Sequence, residues 1–166
     1  MRWTLTTAAA LALLAPAASA ETVHFTARLT SRAEAPPNRS PAVGEIQADL
    51  DTGTGLLTYK LTYQGLSGPA TAARLQGPAK AGQTAPPILS SDDVSNPISG
   101  NASLTQAQVA DLKKGLWYVN ITTSANPDGE IRGQLKRDVN WGQLDAPSTP
   151  DLHQDIYQPP PSLSAR

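Results

Sequence analysis

The chain has 166 residues, a formal net charge of −1, no cysteine and only two histidines, His24 and His153. This near-neutral balance gives no electrostatic reason to expect nucleic acid or an anionic membrane as a partner. Without cysteine there are no disulfides, no thiol catalysis and no thiolate metal sites, and two imidazoles leave few general bases near pH 7.

Residues 1–20 read as a signal peptide. Arg2 supplies the positive start, Ala8 to Ala15 a short apolar run, and Ala18-Ser19-Ala20 a small-residue cleavage site. The run is shorter than the roughly 20 residues a membrane-spanning helix needs. The expectation is cleavage after Ala20, export to a periplasm or the medium, and no membrane span. Removing 20 residues leaves 146, with 12 basic and 14 acidic side chains and a charge of −2. Such a chain can bury one core without disulfide staples.

Val23, Phe25, Ala27 and Leu29 alternate with polar partners and predict a half-buried first strand, with His24 on its exposed outer face. Ser31 to Pro41, with three prolines, reads as a loop. A second strand covers about Val43 to Leu50. Asp51-Thr52-Gly53-Thr54-Gly55 turns the chain, and Leu57, Tyr59, Leu61 and Tyr63 share one face of the returning strand. Gly65 to Pro69 breaks this hairpin, and a short strand follows over Ala70 to Gln76. Gly77 to Gly100 is loop-rich, with a short apolar piece at Ile88-Leu89; a further short strand is expected over Ile98 to Leu104.

Thr105-Gln106-Ala107-Gln108 is a capping box, opening a short helix through Val109, Asp111 and Leu112. Lys113 and Lys114 suit its C-terminal dipole, and Gly115 its C′ position. Trp117, Val119 and Ile121 then face one way, and Tyr118, Asn120 and Thr122 the other. Asn126-Pro127-Asp128-Gly129 is a type I turn by composition. Ile131, Gly133 and Leu135 alternate with Glu130, Arg132 and Gln134 on the returning strand. Short strands, regular turns and one short helix predict an all-β fold, an antiparallel sandwich or barrel, over residues 21–137. Residues 138–166 read as a proline-rich tail, in which Leu152 and Ile156 share a helical face too short to be stable alone.

The hairpin Gly115 to Leu135 resembles the CHRD domain, the repeat named for chordin and also present in bacterial exported proteins. The matching residues are Tyr118-Val119-Asn120, Thr123, Asn126-Pro127-Asp128-Gly129 and Glu130 to Leu135. Upstream, Glu34-Ala35-Pro36-Pro37, Gly65 to Pro69 and Gly77-Pro78-Ala79 are also similar to the family pattern. The resemblance spans about Val23 to Leu135 and implies an immunoglobulin-like or superoxide-dismutase-like β architecture. Where the family commonly has histidines, this chain has Arg74, Gln76 and Thr122. Three imidazoles there would suit a metal; the residues present would not, and Arg74 would repel a cation.

Glu130 and Arg132 are expected on one strand face, beside Tyr118, Asn120 and Thr122. They form either a polar recognition face or a cross-strand network in which the guanidinium satisfies a carboxylate and carbonyls. Asp49-x-Asp51-x-Gly53 and Asp92-Asp93 with Asn96 offer oxygens in a faintly calcium-like pattern, but the first lacks the remaining loop ligands. No Gly-x-Ser-x-Gly elbow or phosphate-cradling loop is present. The resemblance implies an exported, non-catalytic domain without a cofactor, binding a protein or an envelope polymer. The alternative is a metal-binding β-sandwich, related to copper–zinc superoxide dismutases, whose histidine ligands have been lost.

Overall fold

In the computed structural model the described residues are 20–91 and 93–141. The expected signal peptide except Ala20, Asp92, and the tail from 142 onward, with Leu152, His153 and Ile156, lie outside them.

Among the described residues the chain forms nine antiparallel strands, most of them set by alternation of apolar and polar residues. They are β1 (Thr22–Thr30), β2 (Val43–Asp51), β3 (Leu56–Gln64), β4 (Ala70–Gln76), β5 (Pro87–Ser91), β6 (Ile98–Ser103), β7 (Tyr118–Thr123), β8 (Ile131–Gln134) and β9 (Lys136–Arg137). The strand order is β5-β4-β7-β8-β1-β2-β3-β6, with β9 also pairing β1. The edge strands β5 and β6 approach one another, so the sheet curls into a nearly closed barrel. Closure of this kind removes most of the exposed edge at which a sheet would otherwise pair with other chains.

The inward residues form one core. β1 contributes Val23, Phe25, Ala27 and Leu29; β2 Ile46, Ala48 and Leu50; and β3 Leu57 and Leu61. From the other side come Leu75, Val119, Ile121, Ile131 and Leu135. Each fully buried Val, Leu, Ile or Phe among them contributes roughly 1.5–3 kcal/mol by leaving water.

The helix α1 (Gln106–Lys113) has the expected capping box. Gln108 N donates to Thr105 Oγ1 (3.3 Å), and Thr105 N donates to Gln108 Oε1 (2.9 Å). Gly115 stops it at φ +71°, a value that favours glycine. Leu112 is the helix's buried anchor. Among the described residues no helix is long and apolar enough to cross a membrane.

Residues just past Arg137 pack against β1: Asp138 N donates to His24 O (2.8 Å), and the Trp141 ring stacks on His24 at 4.4 Å between centroids. His24 is therefore half-buried rather than exposed, with Nδ1 2.7 Å from Asp49 Oδ1 across the β1–β2 pair. Strand alternation gives the direction of the side chain, but its cover comes from a residue 117 positions away in sequence.

Candidate functional site

β7 is buried on both faces along its whole length. Its inward face belongs to the core. Its outward face carries Tyr118, Asn120 and Thr122, with Arg74 and Gln76 of β4 on one side and Arg132 and Gln134 of β8 on the other. Two irregular segments cover this face. One is the stretch after β1, which starts with a 3-10 turn over Ser31–Ala33 and continues through Glu34, Pro36 and Pro37; the other is the loop from Gly77 to Pro86.

Direct hydrogen bonds hold the second loop in place. Ala85 N donates to Tyr118 Oη (3.0 Å), Gln76 Nε2 to Ala85 O (3.1 Å), and Arg132 Nη2 to Gln83 O (2.7 Å). Gln134 Nε2 donates to Ala79 O (2.9 Å) and Gly115 O (2.8 Å), while its Oε1 is buried without a partner. The Arg132 guanidinium lies 3.5 Å from the centre of the Tyr118 ring. A cation over an aromatic face gains about 2 kcal/mol when desolvated. Arg132 is only 2% exposed, and burial pushes its pKa below the ordinary value despite the opposing effects of Tyr118 and Glu34.

Glu34 is the carboxylate whose charge acts on Arg132, and the sequence reading did not single it out as a site residue. It is 6% exposed, and Asn120 Nδ2 donates to its Oε2 (3.1 Å) and Oε1 (3.3 Å). Burial raises its pKa to about 7, against the lowering influence of Arg132 and of the Ala35 backbone N–H. Asn120 Oδ1 is buried with no donor. Gly129 (φ +149°) makes room for the pair, because a Cβ there would collide with Asn120 Nδ2 and Glu34 Oε2. A Glu followed by two prolines after a strand is the signal that pointed to this loop; nothing local showed that it folds over β7.

Glu130 corrects the expectation that it stands beside Arg132. It occupies a bend before β8, and its carboxylate turns to Thr123, Ser40 and Ser67 instead. Ser40 Oγ (2.6 Å) and Ser67 N (2.7 Å) donate to Oε1; Ser67 Oγ (2.7 Å) and Thr123 Oγ1 (2.6 Å) donate to Oε2. Burial alone would raise its pKa, but these bonds outweigh it and hold the carboxyl at about 2. Three separate segments are thus tied to one charge. The serines carry no periodic signal, so sequence could not bring them here.

Arg74, Gln76 and Thr122 share the outward face, as the register requires, but they make no metal-binding set. Gln76 spends its amide on Ala85, and Thr122 Oγ1 lies 2.9 Å from Thr71 Oγ1. Neither a guanidinium nor these polar groups replaces neutral imidazole as a ligand for such metals. Among the described residues no three His, Asp or Glu side chains come together. Asp49 and Asp51 are also apart in role. Asp49 meets His24, whereas Asp51 Oδ1 accepts from Gly53 N (2.8 Å) and Thr54 N (2.9 Å), which lowers its pKa.

Between the two covering segments lies a cleft of about 1000 Å³, with Arg132 and Gln134 of β8, Arg32, Glu34, Gln83 and Thr84 on its walls. Its size falls at the upper end of the range for small-molecule sites.

No curated protein and no solved structure matches the chain. A family model does, under the description CHRD domain, over residues 25–135, a span that runs from β1 through Leu135 and takes in both covering segments. The chain belongs to the CHRD domain family.

Proposed function

We propose that this chain is an exported, non-catalytic binding or structural module of the cell envelope or extracellular space, with the cleft between the two covering segments as its recognition surface. The observation that carries this reading is the division of labour on the outward face of β7. Tyr118 and Gln76 on that face, and Glu130 just before β8, are committed to holding loops, which supports a preformed cleft between the covering segments as the recognition surface. Among the described residues His24 is engaged with Asp49 and Trp141, and no serine hydroxyl hydrogen-bonds to its ring, the arrangement in which an imidazole activates such a nucleophile. Export is supported by the leader-like residues 1–20.

The test is retention of envelope components on immobilised chain 21–166. The unaltered chain is expected to retain a component that Ala81→Trp, placed on an exposed wall of the cleft, loses. Equal retention by both would remove the cleft from the reading, and turnover on ester or glycoside panels would remove the non-catalytic part.

A second reading, a metal-binding sandwich stripped of its ligands, draws on the shared face of Arg74, Gln76 and Thr122. Stoichiometric copper or zinc in the purified chain would contradict the loss of that site.

A further inference from the structure

A buried charge normally finds an opposite charge, because desolvation costs several kcal/mol per ion. Arg132 is buried, yet among the described residues no Asp or Glu oxygen forms an ion pair with it. Its direct contacts are the Tyr118 ring on one face and a single backbone carbonyl, that of Gln83, at Nη2, while the charge of Glu34 acts on it without an ion-pair contact. A guanidinium carries five N–H donors in a planar fork that matches a carboxylate edge. This fork lines a cleft of about 1000 Å³.

The neighbours narrow the ligand. Ala33, Ala35, Pro36 and Pro78 give the walls small apolar surfaces suited to a compact stem. Arg32 adds a second positive charge at the rim. Glu34 stands on the same wall with its oxygens turned to the Asn120 amide. A single negative charge suits this balance better than a dianion, which would be repelled by Glu34 whenever that group is ionised.

We propose that the cleft binds the carboxylate of a small ligand, with the Arg132 guanidinium as its anchor; this inference rests on the reading of the chain as a binding module. The charged groups around Glu34 are Arg132 from β8, whose charge acts on it, and Arg32 from the 3-10 turn and Asp128 from the hairpin loop, which line the same clefts. A ligand carboxylate brought beside Glu34 favours its neutral form, so binding takes up a proton. Affinity therefore falls as pH rises through about 7, where Glu34 ionises.

The experiment uses chain 21–166 and two sources of the same chemistry, acetyl-Ala-Ala with a free carboxylate and galacturonate. Each is paired with an uncharged counterpart, the peptide amide and the uronate methyl ester. Titrations followed by amide and guanidinium NMR signals are expected to saturate for at least one free acid, with shifts at Arg132, Gln83 and Thr84. Whichever acid saturates identifies the source. Affinity should be about fivefold to tenfold weaker at pH 8.5 than at pH 5.5, and Glu34→Gln should flatten that dependence. Thr84→Glu, on an exposed wall position that leaves the fold intact, should weaken binding at least about fivefold by like-charge repulsion. Equal binding of the uncharged counterparts, or an unchanged affinity in Thr84→Glu, overturns the assignment. If neither acid saturates while Ala81→Trp still abolishes retention of an envelope component, the carboxylate assignment fails and the binding reading stands. If Ala81→Trp also has no effect, both fail.

Discussion

Replacing Glu130 with glutamine keeps the shape of a side chain that is 0% exposed but removes its charge. The carboxylate accepts four hydrogen bonds, from Ser40 Oγ, Ser67 N, Ser67 Oγ and Thr123 Oγ1. Glutamine's NH₂ must sit where one oxygen was, facing donors, and the Ser67 N–H cannot rotate away as a hydroxyl can. The folded carboxyl lies at about 2 and the unfolded reference at 4.5. At about 1.4 kcal/mol per pH unit this corresponds to an upper value of about 3 kcal/mol. Ser40 is half-buried and Ser67 exposed, so solvent screening trims the effect to about 2 kcal/mol. Because the folded pKa is depressed, this stabilisation is complete above pH 4.5 and disappears as pH falls toward 2. Urea unfolding of both chains across pH 2–7 should show a gap of about 2 kcal/mol at pH 7, closing to under about 0.5 kcal/mol at pH 2. A gap below about 0.5 kcal/mol at neutral pH, or one that persists undiminished at pH 2, would refute the reasoning.

Glu34 should act in the opposite sense. Its folded pKa is raised, so the wild-type chain loses stability as pH rises from 4.5 through about 7, and Glu34→Gln should be more stable than wild type by about 1–3 kcal/mol at pH 8; equal melting temperatures at pH 8 would contradict this. Gly129→Ala should cost about 1–3 kcal/mol, since φ +149° is strained for alanine and its Cβ would strike Glu34 and Asn120, and denaturant unfolding that shows no loss would sink the account of that turn. Arg132→Ala removes the stacked guanidinium and the bond to Gln83, with an expected loss of about 2–4 kcal/mol; an unchanged melting curve would show that Arg132 adds nothing to the framework.

Local patterns were enough to place most elements. Alternation in Val23–Leu29 marks β1, the Thr105–Gln108 box marks α1, and Asn126-Pro127-Asp128-Gly129 closes a turn in which Gly129 N donates to Asn126 O (3.2 Å). These signals are legible because backbone periodicity and caps depend on neighbours a few residues apart. The hairpin also carries the family resemblance, which the match over residues 25–135 establishes. The outward placement of Tyr118, Asn120, Thr122 and Arg132 follows from the same alternation.

What covers that face does not follow from it. Alternation makes Tyr118, Asn120 and Arg132 point away from the core, which in an ordinary antiparallel sheet means toward water. Here two proline-containing segments fold back over β7 and β8, turning a polar surface into a second buried layer. The same long-range packing separates Glu130 from Arg132 and lays Trp141 on His24. Sequence by itself determined most of the strands, the helix and the family. Only the tertiary structure decided which carboxylate is held at about 2, which at about 7, and that a buried guanidinium lines a cleft. The physical reason is that burial and charge compensation depend on residues 90 or more positions apart, such as Ser40 and Glu130, and local propensity holds no information about such distances.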